Sequence, residues 1–127
     1  MIVSIGIDII EVERVKKVLL RTPRFAERVF TPSERAYCDA RGSLQIAAKH
    51  YAARFAAKEA ALKALGTGWS GGIGWQDVEI ISKDIGAPAV KLYNIAHELF
   101  ERSGATVAHL SLSHTAEHAI AQVIFEK

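Results

Sequence analysis

The sequence predicts an α+β fold: a single domain over residues 1–127 with a largely antiparallel sheet packed against a long helix. Three observations predict it. Residues 2–10 alternate as a strand does, residues 44–65 contain neither glycine nor proline, and residues 107–113 and 118–125 resemble two strands of a hairpin. Strands and helices mix without the regular βαβ alternation of a doubly wound sheet.

The first strand and the helix after it have clear sides. In the strand, Ile5, Ile7 and Ile9 point one way, whereas Gly6 and Asp8 point the other. Glycine at that position permits close approach of another backbone. A helix over residues 11–20 follows, and its apolar stripe consists of Val12, Val15 and Leu19.

Capping residues set the bounds of the middle helices. Thr31 and Glu34 form a capping box around Pro32, and Gly42 ends that helix. Ser43 caps the long helix from Leu44 to Leu65, and Gly66 ends it. The remaining predicted elements are a strand over 76–82, a turn over Asp84–Pro88, a short strand near 89–93 and a helix from Asn94 to Gly104.

Composition indicates an ordinary globular protein, with 50% hydrophobic and 24% charged residues in 127. One cysteine, Cys38, excludes an internal disulfide and favours a reducing, cytoplasmic setting. The segment MIVSIGIDII lacks a basic region and is interrupted by Asp8, so neither a signal peptide nor a membrane span is expected. A net charge of +2 is too small to indicate nucleic-acid binding.

A glycine motif follows the long helix. Residues 66–71, GTGWSG, satisfy the G-x-G-x-x-G pattern of dinucleotide-binding folds. That pattern binds a pyrophosphate only between a strand and the start of a helix, and here it leads from a helix into a strand. The dinucleotide interpretation therefore fails, while a loop near a ligand and a plain connection both remain open.

Two carboxylates allow two interpretations. Asp8 could cap the following helix, and Glu59 could form an ordinary helix-surface ion pair with Lys63. Alternatively, both could bind Mg²⁺, which commonly takes one or two carboxylates together with substrate phosphates. Lys58, Lys63 and Arg54 on the same helix would then neutralise the phosphates.

Three segments resemble the holo-acyl-carrier-protein synthases of the 4′-phosphopantetheinyl transferase superfamily. They are GIDIIEVERV at 6–15, FAAKEAALKALG at 55–66 and HLSLSHT at 109–115. The GTG at 66–68 and the G-x-P of Gly86–Pro88 also fit, so the resemblance covers essentially the whole chain. It implies the fold of that superfamily, in agreement with the α+β prediction.

The resemblance implies Mg²⁺-dependent transfer of 4′-phosphopantetheine from coenzyme A to a serine of apo-acyl carrier protein, a step of fatty acid biosynthesis. Adenosine 3′,5′-bisphosphate is released. Asp8 and Glu59 are implied as the Mg²⁺ ligands and, with Lys63, as the catalytic residues; Lys63 also holds the pyrophosphate. The implied coenzyme A contacts are completed by Arg54 and His114 at the 3′-phosphate and by Gly66, Gly68 and Pro88 along the nucleotide cleft. The base for the serine is either Glu59 or a metal-bound water, of which the water is favoured.

The resemblance also implies a homotrimer with its sites between subunits. On the first helix, Arg14, Lys17 and Arg21 recur on the side opposite the apolar stripe, and Arg24 continues their line. This face suits an acidic carrier protein. Two other classes stay open: a catalytically silent trimeric binder and a small nucleic-acid-binding protein. The second is disfavoured because no aromatic platform is interleaved with these charges.

Overall fold

A computed structural model describes residues 1–69, 71–82 and 87–127 of the chain. Its strands are β1 (Ile2–Glu11), β2 (Val78–Ile81), β3 (Ala89–Leu92), β4 (Val107–His114) and β5 (His118–Glu126). Its helices are α1 (Val12–Arg21), α2 (Phe25–Val29), α3 (Pro32–Asp39), α4 (Leu44–Leu65) and α5 (Asn94–Arg102). A single 3-10 turn, Trp75–Asp77, precedes β2.

The strands form two antiparallel sheets. The larger has the order β1-β5-β4, so the first strand of the chain pairs with the last. In its register Asp8 lies opposite Ala121, and Ala121 lies opposite Leu112. The smaller sheet pairs β2 with β3. The predicted α+β class and the closing hairpin are confirmed.

The long helix α4 is the centre of the fold. Ser43 Oγ accepts from the backbone N–H of Ile46 at 3.4 Å, and Gly66 ends the helix with φ 84°, where a side chain would be strained. The helix is buried on most sides and packs on the larger sheet, with α1 and α3 also against it. Its small side chains allow this close packing, and the buried alanines are Ala47, Ala48, Ala52, Ala53, Ala56, Ala57, Ala60, Ala61 and Ala64.

Gly6 fixes how closely β1 lies against α4. A Cβ atom at Gly6 would lie 1.8 Å from the carbonyl oxygen of Ala60, which no real side chain could tolerate. Two residues earlier, Ser4 Oγ donates to the carbonyl oxygen of Ala64 at 2.8 Å. The Ser4–Gly6–Asp8 side of β1 therefore faces the second half of α4.

The opposite side of β1 is exposed. The predicted alternation is confirmed, but Ile5, Ile7 and Ile9 are each 50–60% exposed. Val107 and Ile120 continue this apolar face on β4 and β5. None of the helices in the described residues has the length and apolar content of a membrane span.

Most element bounds agree with the predicted ones. The capping box is present, because Glu34 N–H donates to Thr31 Oγ1 at 3.2 Å and Thr31 N–H donates to Glu34 Oε1 at 2.8 Å. Two features were not predicted: the short helix α2 and the 3-10 turn that shortens the predicted strand 76–82. The predicted turn at Asp84–Pro88 lies partly outside the described residues.

Cys38 packs in the core. It is fully buried in α3 and forms no disulfide. Burial raises the pKa of its thiol to about 12, so the nucleophilic thiolate is absent at neutral pH.

Candidate active site

Asp8 lies at the contact between β1 and α4. Its Oδ1 accepts from Lys63 Nζ at 3.1 Å, and the same ammonium donates to the carbonyl oxygen of Ile7 at 2.9 Å. The hypothesis that Asp8 caps α1 is wrong, because the residue at that cap is Glu11 and its side chain makes no capping bond. The strand instead turns the Asp8 carboxylate toward the helix.

Glu59 lies one turn before Lys63 on α4 and is half-buried. Its Oε1 accepts from the indole N–H of Trp69 at 3.3 Å. The proposed surface ion pair between Glu59 and Lys63 is wrong, because Lys63 reaches across to Asp8. Helical spacing allows such a pair, but the carboxylate on β1 offers the ammonium a partner beside a backbone carbonyl.

The donor set around Asp8 suits a hard cation. Asp8 Oδ2 is buried and has no hydrogen-bond partner among the described residues. A buried, unpartnered carboxylate oxygen is costly unless a cation or donor satisfies it. Across residues 1–69, 71–82 and 87–127, no three metal-ligating side chains cluster at one point. A cation held by Asp8 and Glu59 would therefore take its other oxygens from a ligand or water, as Mg²⁺ does with substrate phosphates.

Lys58 does not contribute to this site. The expectation that it neutralises phosphates is wrong, because its side chain is fully buried against Glu34, with Nζ 2.9 Å from Oε1. It also donates to the carbonyl oxygens of Trp75, at 3.0 Å, and Val78. Of the three α4 cations predicted to neutralise phosphates, Lys63 and Arg54 remain.

A second cluster surrounds Arg54. Its guanidinium lies 3.8 Å from the ring centre of Tyr37, and the ring of Tyr37 meets that of His50 at 5.8 Å. His50 in turn contacts His114, with ring centres 5.3 Å apart. Arg54 and His114 thus belong to one cluster, joined through Tyr37 and His50.

The electrostatics of this cluster favour an anion. Arg41 approaches the Tyr37 ring at 4.3 Å, so two guanidinium groups flank one ring. Burial, followed by the neighbouring His114 and Arg54, lowers the pKa of His50. Arg54 is itself buried and donates to Ser82 Oγ at 2.6 Å, while its Nε has no partner among the described residues. An anion would satisfy these donors and offset the crowded positive charge.

Sequence reasoning missed Tyr37, Arg41 and His50. One signal was available: His50 and Arg54 lie four residues apart on a predicted helix and therefore share a face. The contribution of Tyr37 and Arg41 comes from α3 and the residues after it, which only packing brings to α4.

The two clusters lie on opposite sides of α4. Arg54 precedes Lys63 by about two and a half turns of the helix, which places their side chains on opposite faces. On the sheet, Asp8 belongs to β1 whereas His114 ends β4, with β5 between them. One chain therefore does not bring all the predicted residues to one point.

The predicted cleft residues lie on different elements. Gly66 and Gly68 follow α4 directly, close in sequence to Glu59, with φ 84° and 61°. Both are exposed. Pro88 precedes β3 in the smaller sheet, and Gly86 of the same motif lies outside the described residues.

The four cations predicted to dock a partner are all exposed. Arg14, Lys17 and Arg21 lie on α1, and Arg24 lies at the start of α2. None of them forms an ion pair with any residue that the structure describes. Val12 and Val15 are buried on the other side of the helix, and Leu19 is partly buried. The face is therefore free to meet an acidic surface.

Known proteins are similar to this chain in sequence and fold. The profile of the 4′-phosphopantetheinyl transferase superfamily matches residues 4–123. A holo-[acyl-carrier-protein] synthase of Geobacter sp. (strain M21) is 47% identical over 128 residues, covering 100% of both chains. One from Anaeromyxobacter sp. (strain K) is 48% identical over 130 residues, covering 99% of this chain and 97% of the relative.

Solved structures of holo-[acyl-carrier-protein] synthases have a fold similar to that of this chain. The synthase of Bacillus anthracis, in complex with coenzyme A (3′,5′-ADP), superimposes with a TM-score of 0.80 at 38% identity, covering 98% of this chain and 96% of that one. The synthase of Helicobacter pylori in complex with coenzyme A gives a TM-score of 0.79 at 32% identity, covering 96% and 99%. The chain therefore belongs to the holo-[acyl-carrier-protein] synthases of the 4′-phosphopantetheinyl transferase superfamily.

Proposed function

We propose that residues 1–127 act as one transferase domain that moves 4′-phosphopantetheine from coenzyme A to a serine of apo-acyl carrier protein. The observation that carries this proposal is the contact of Lys63 with Asp8, on the same helix that presents Glu59. It pairs Lys63 with Asp8, and Glu59 lies one helical turn before Lys63. That combination suits a pyrophosphate together with Mg²⁺.

The reaction breaks the phosphoanhydride bond of the coenzyme A pyrophosphate and forms a phosphate ester bond to the carrier protein. The serine oxygen of the carrier protein attacks the phosphorus that bears the pantetheine group and loses its proton. The bond from that phosphorus to the bridging oxygen breaks, and adenosine 3′,5′-bisphosphate leaves with the electron pair. When bound, Mg²⁺ would supply neutralisation of the pyrophosphate charge. Asp8 and Glu59 would hold it.

Lys63 is suited to the leaving phosphate. An ammonium has three donors, and two of them are used by Asp8 Oδ1 and the Ile7 carbonyl oxygen. These bonds fix the position of the charge, and the side chain remains 54% exposed. The third donor can therefore bind an incoming phosphate oxygen. Charge fixed in advance where negative charge develops stabilises the transition state more than the ground state.

Arg54 and His114 would bind the 3′-phosphate, which stays unchanged through the reaction. Supporting this, both belong to the cluster in which Arg41 and Arg54 flank Tyr37. A phosphate bound in this cluster would favour the protonated form of His50, opposing the lowered pKa of that residue. Gly66, Gly68 and Pro88 would line the nucleotide between the two ends.

The test is the formation of adenosine 3′,5′-bisphosphate when the protein is mixed with coenzyme A, Mg²⁺ and an apo carrier protein. Asp8→Ala and Glu59→Ala should each remove most of the product while circular dichroism shows an unchanged fold, since neither side chain belongs to the apolar core. If the protein were a catalytically silent binder, the wild-type chain would release no adenosine 3′,5′-bisphosphate. Full activity after exhaustive chelation of divalent metal would contradict the roles of Asp8 and Glu59.

We further propose a homotrimer in which each site lies between two copies. Two observations support it: the residues on opposite sides of α4 need a second chain to meet, and the sheet exposes an apolar face. That face includes Ile5, Ile7, Ile9, Val107 and Ile120. Contiguous apolar surface of this kind is typical of protein interfaces.

The single free cysteine fits a reducing compartment, and we propose a cytoplasmic location.

Complementation tests this assembly. Asp8→Ala and His114→Ala each damage a different half of the site, so refolding the two variants together should restore activity that neither has alone. Refolding each with itself is the control. Light scattering that gives a monomer at the assay concentration would contradict the trimer, and mixed refolding without any gain would contradict the shared site.

We also propose that Arg14, Lys17, Arg21 and Arg24 dock the carrier protein. Their exposure and lack of ion pairs with described residues support this. Exposed cations on one face steer an acidic partner and raise the association rate at low salt.

A further inference from the structure

An aromatic stack leads from the first helices to Glu59. The ring centres of Phe25 and Phe55 lie 6.1 Å apart, and Phe55 stacks on Trp75 at 5.1 Å with 26° between the planes. Trp75 meets Trp69 with the ring centres 3.7 Å apart. Trp69 ends the stack, and its indole N–H donates to Glu59 Oε1 at 3.3 Å.

The loop after α4 folds back so that Trp69 can reach the helix. Gly66 and Gly68 both adopt positive φ, at 84° and 61°, which residues with a Cβ rarely do. The chain thereby reverses within a few residues, and Trp69 lies against the last turns of the helix it has just left. The reversal gives the glycine-rich loop a role that differs from phosphate binding by its amides.

The other end of the loop is fixed to the same helix. Lys58 Nζ donates to the carbonyl oxygen of Trp75 at 3.0 Å. Lys58 and Glu59 are neighbours in sequence, so two adjacent side chains of α4 bind the loop at two points. The buried Lys58 fixes Trp75, Trp75 supports the ring of Trp69, and Trp69 holds Glu59.

We propose that Trp69 is a positioning residue that orients the Glu59 carboxylate for the divalent cation. This inference rests on the proposed function. A free glutamate side chain rotates about several bonds, and ordering it on binding a metal costs conformational entropy. The indole N–H holds one carboxylate oxygen in place before the cation arrives. Hydrogen bonds to a metal-binding carboxylate from outside its ligand shell typically contribute about 10–100-fold in metal affinity or activity.

The matched variants are Trp69→Phe and Trp75→Phe. Each replaces one tryptophan of the stack by phenylalanine, but only Trp69→Phe removes the N–H that binds Glu59. Mn²⁺ serves as the probe, and free Mn²⁺ is measured by electron paramagnetic resonance with coenzyme A present and no carrier protein. Trp69→Phe should weaken Mn²⁺ binding about tenfold or more. Trp75→Phe should change it by less than about threefold, since the hydrogen bond to Glu59 remains.

Kinetics add a second measurement. The activity lost in Trp69→Phe should return toward the wild-type turnover at saturating Mn²⁺, because the Glu59 carboxylate is still present and is only less well oriented. Unchanged Mn²⁺ affinity in Trp69→Phe would overturn the inference, and so would equal weakening in both variants, which would show a packing effect. Both of those outcomes leave the proposed function standing. Wild-type protein that binds no Mn²⁺ with coenzyme A would overturn the metal site itself.

Discussion

Lys58 and Lys63 lie little more than one turn apart on α4 and have opposite environments. The side chain of Lys58 is 0% exposed, and its ammonium is surrounded by Glu34 and the carbonyl oxygens of Trp75 and Val78. The side chain of Lys63 is 54% exposed, and its ammonium contacts only Asp8 and the Ile7 carbonyl among the described residues. The first lysine has all three donors occupied, and the second keeps one for a ligand.

The Lys58–Glu34 pair connects parts of the fold, whereas the partly exposed Lys63–Asp8 pair is placed to meet a ligand. Burial lowers the pKa of Lys58, and the adjacent Glu34 carboxylate opposes that effect by favouring the ammonium. Glu34 also accepts the backbone N–H groups of Thr31 and Ile80, both at 2.8 Å. This pair therefore joins α3, α4 and β2, whereas the Lys63–Asp8 pair leaves Asp8 Oδ2 buried without a partner among the described residues.

The largest expected effect concerns stability. Lys58→Met leaves the Glu34 carboxylate buried without its cation, and removing one partner of a buried pair costs about 3–5 kcal/mol. Lys63→Met is the comparison on the same helix, where the lysine is 54% exposed and its pair with Asp8 should contribute less, on the order of 1 kcal/mol. Urea unfolding of both variants, at one protein concentration, measures the difference in free energy of unfolding.

The double variant Lys58→Met/Glu34→Met sharpens this comparison, because it removes the unpaired charge and should recover part of the lost stability. If Lys58→Met alone does not fold, the free energy of unfolding of the double variant can still be compared with that of the wild type. Equal losses for Lys58→Met and Lys63→Met would show that burial does not distinguish the two lysines.

The second effect concerns turnover. Lys63→Ala should lower kcat by about 10²–10³, the range for losing one fixed donor to developing charge, and change KM for coenzyme A less. Arg54→Ala should do the reverse, since a 3′-phosphate contact is constant through the reaction. Steady-state kinetics measure both. Because Arg54 is buried, circular dichroism must show that its variant is folded. If both variants changed both parameters alike, the two roles would be misassigned.

The smallest effect concerns exposed cations without a described partner. Reversing Arg14 and Arg21 to Glu should raise KM for the carrier protein about tenfold and leave KM for coenzyme A unchanged. The wild-type advantage should shrink with salt, because the Debye length falls from about 10 Å at 0.1 M to about 3 Å at 1 M.

Arg102→Glu/Lys127→Glu is the control for this reversal, since it changes the net charge equally at exposed positions away from α1. If the α1 variant matched this control at low salt, the docking face would lie elsewhere.

Local signals made much of the fold predictable. Thr31 with Glu34, Ser43 and Gly66 each act through atoms within a few residues, so the start of α3 and both ends of α4 follow from the sequence. The predicted end of α3 at Gly42 was wrong, because the helix ends at Asp39. The alternation in β1 also depends only on the chain's own geometry. Spacing, however, left Asp8 as either a cap or a metal ligand and Glu59 as either a surface charge or a ligand. The resemblance favoured the metal, and geometry alone removed the cap and the surface ion pair.

The residues that can carry charge, most ends of α1, α4 and α5, and the family resemblance could all be read from the sequence, whereas the short helix α2 could not. Only the tertiary structure decided which of two similar lysines is a structural anchor and which faces a ligand. The reason is that burial and partners come from distant segments: Glu34 and Val78 reach Lys58, while β1 reaches Lys63. Gly6 shows the same rule, because its need to be glycine is set by the Ala60 carbonyl of a helix far along the chain.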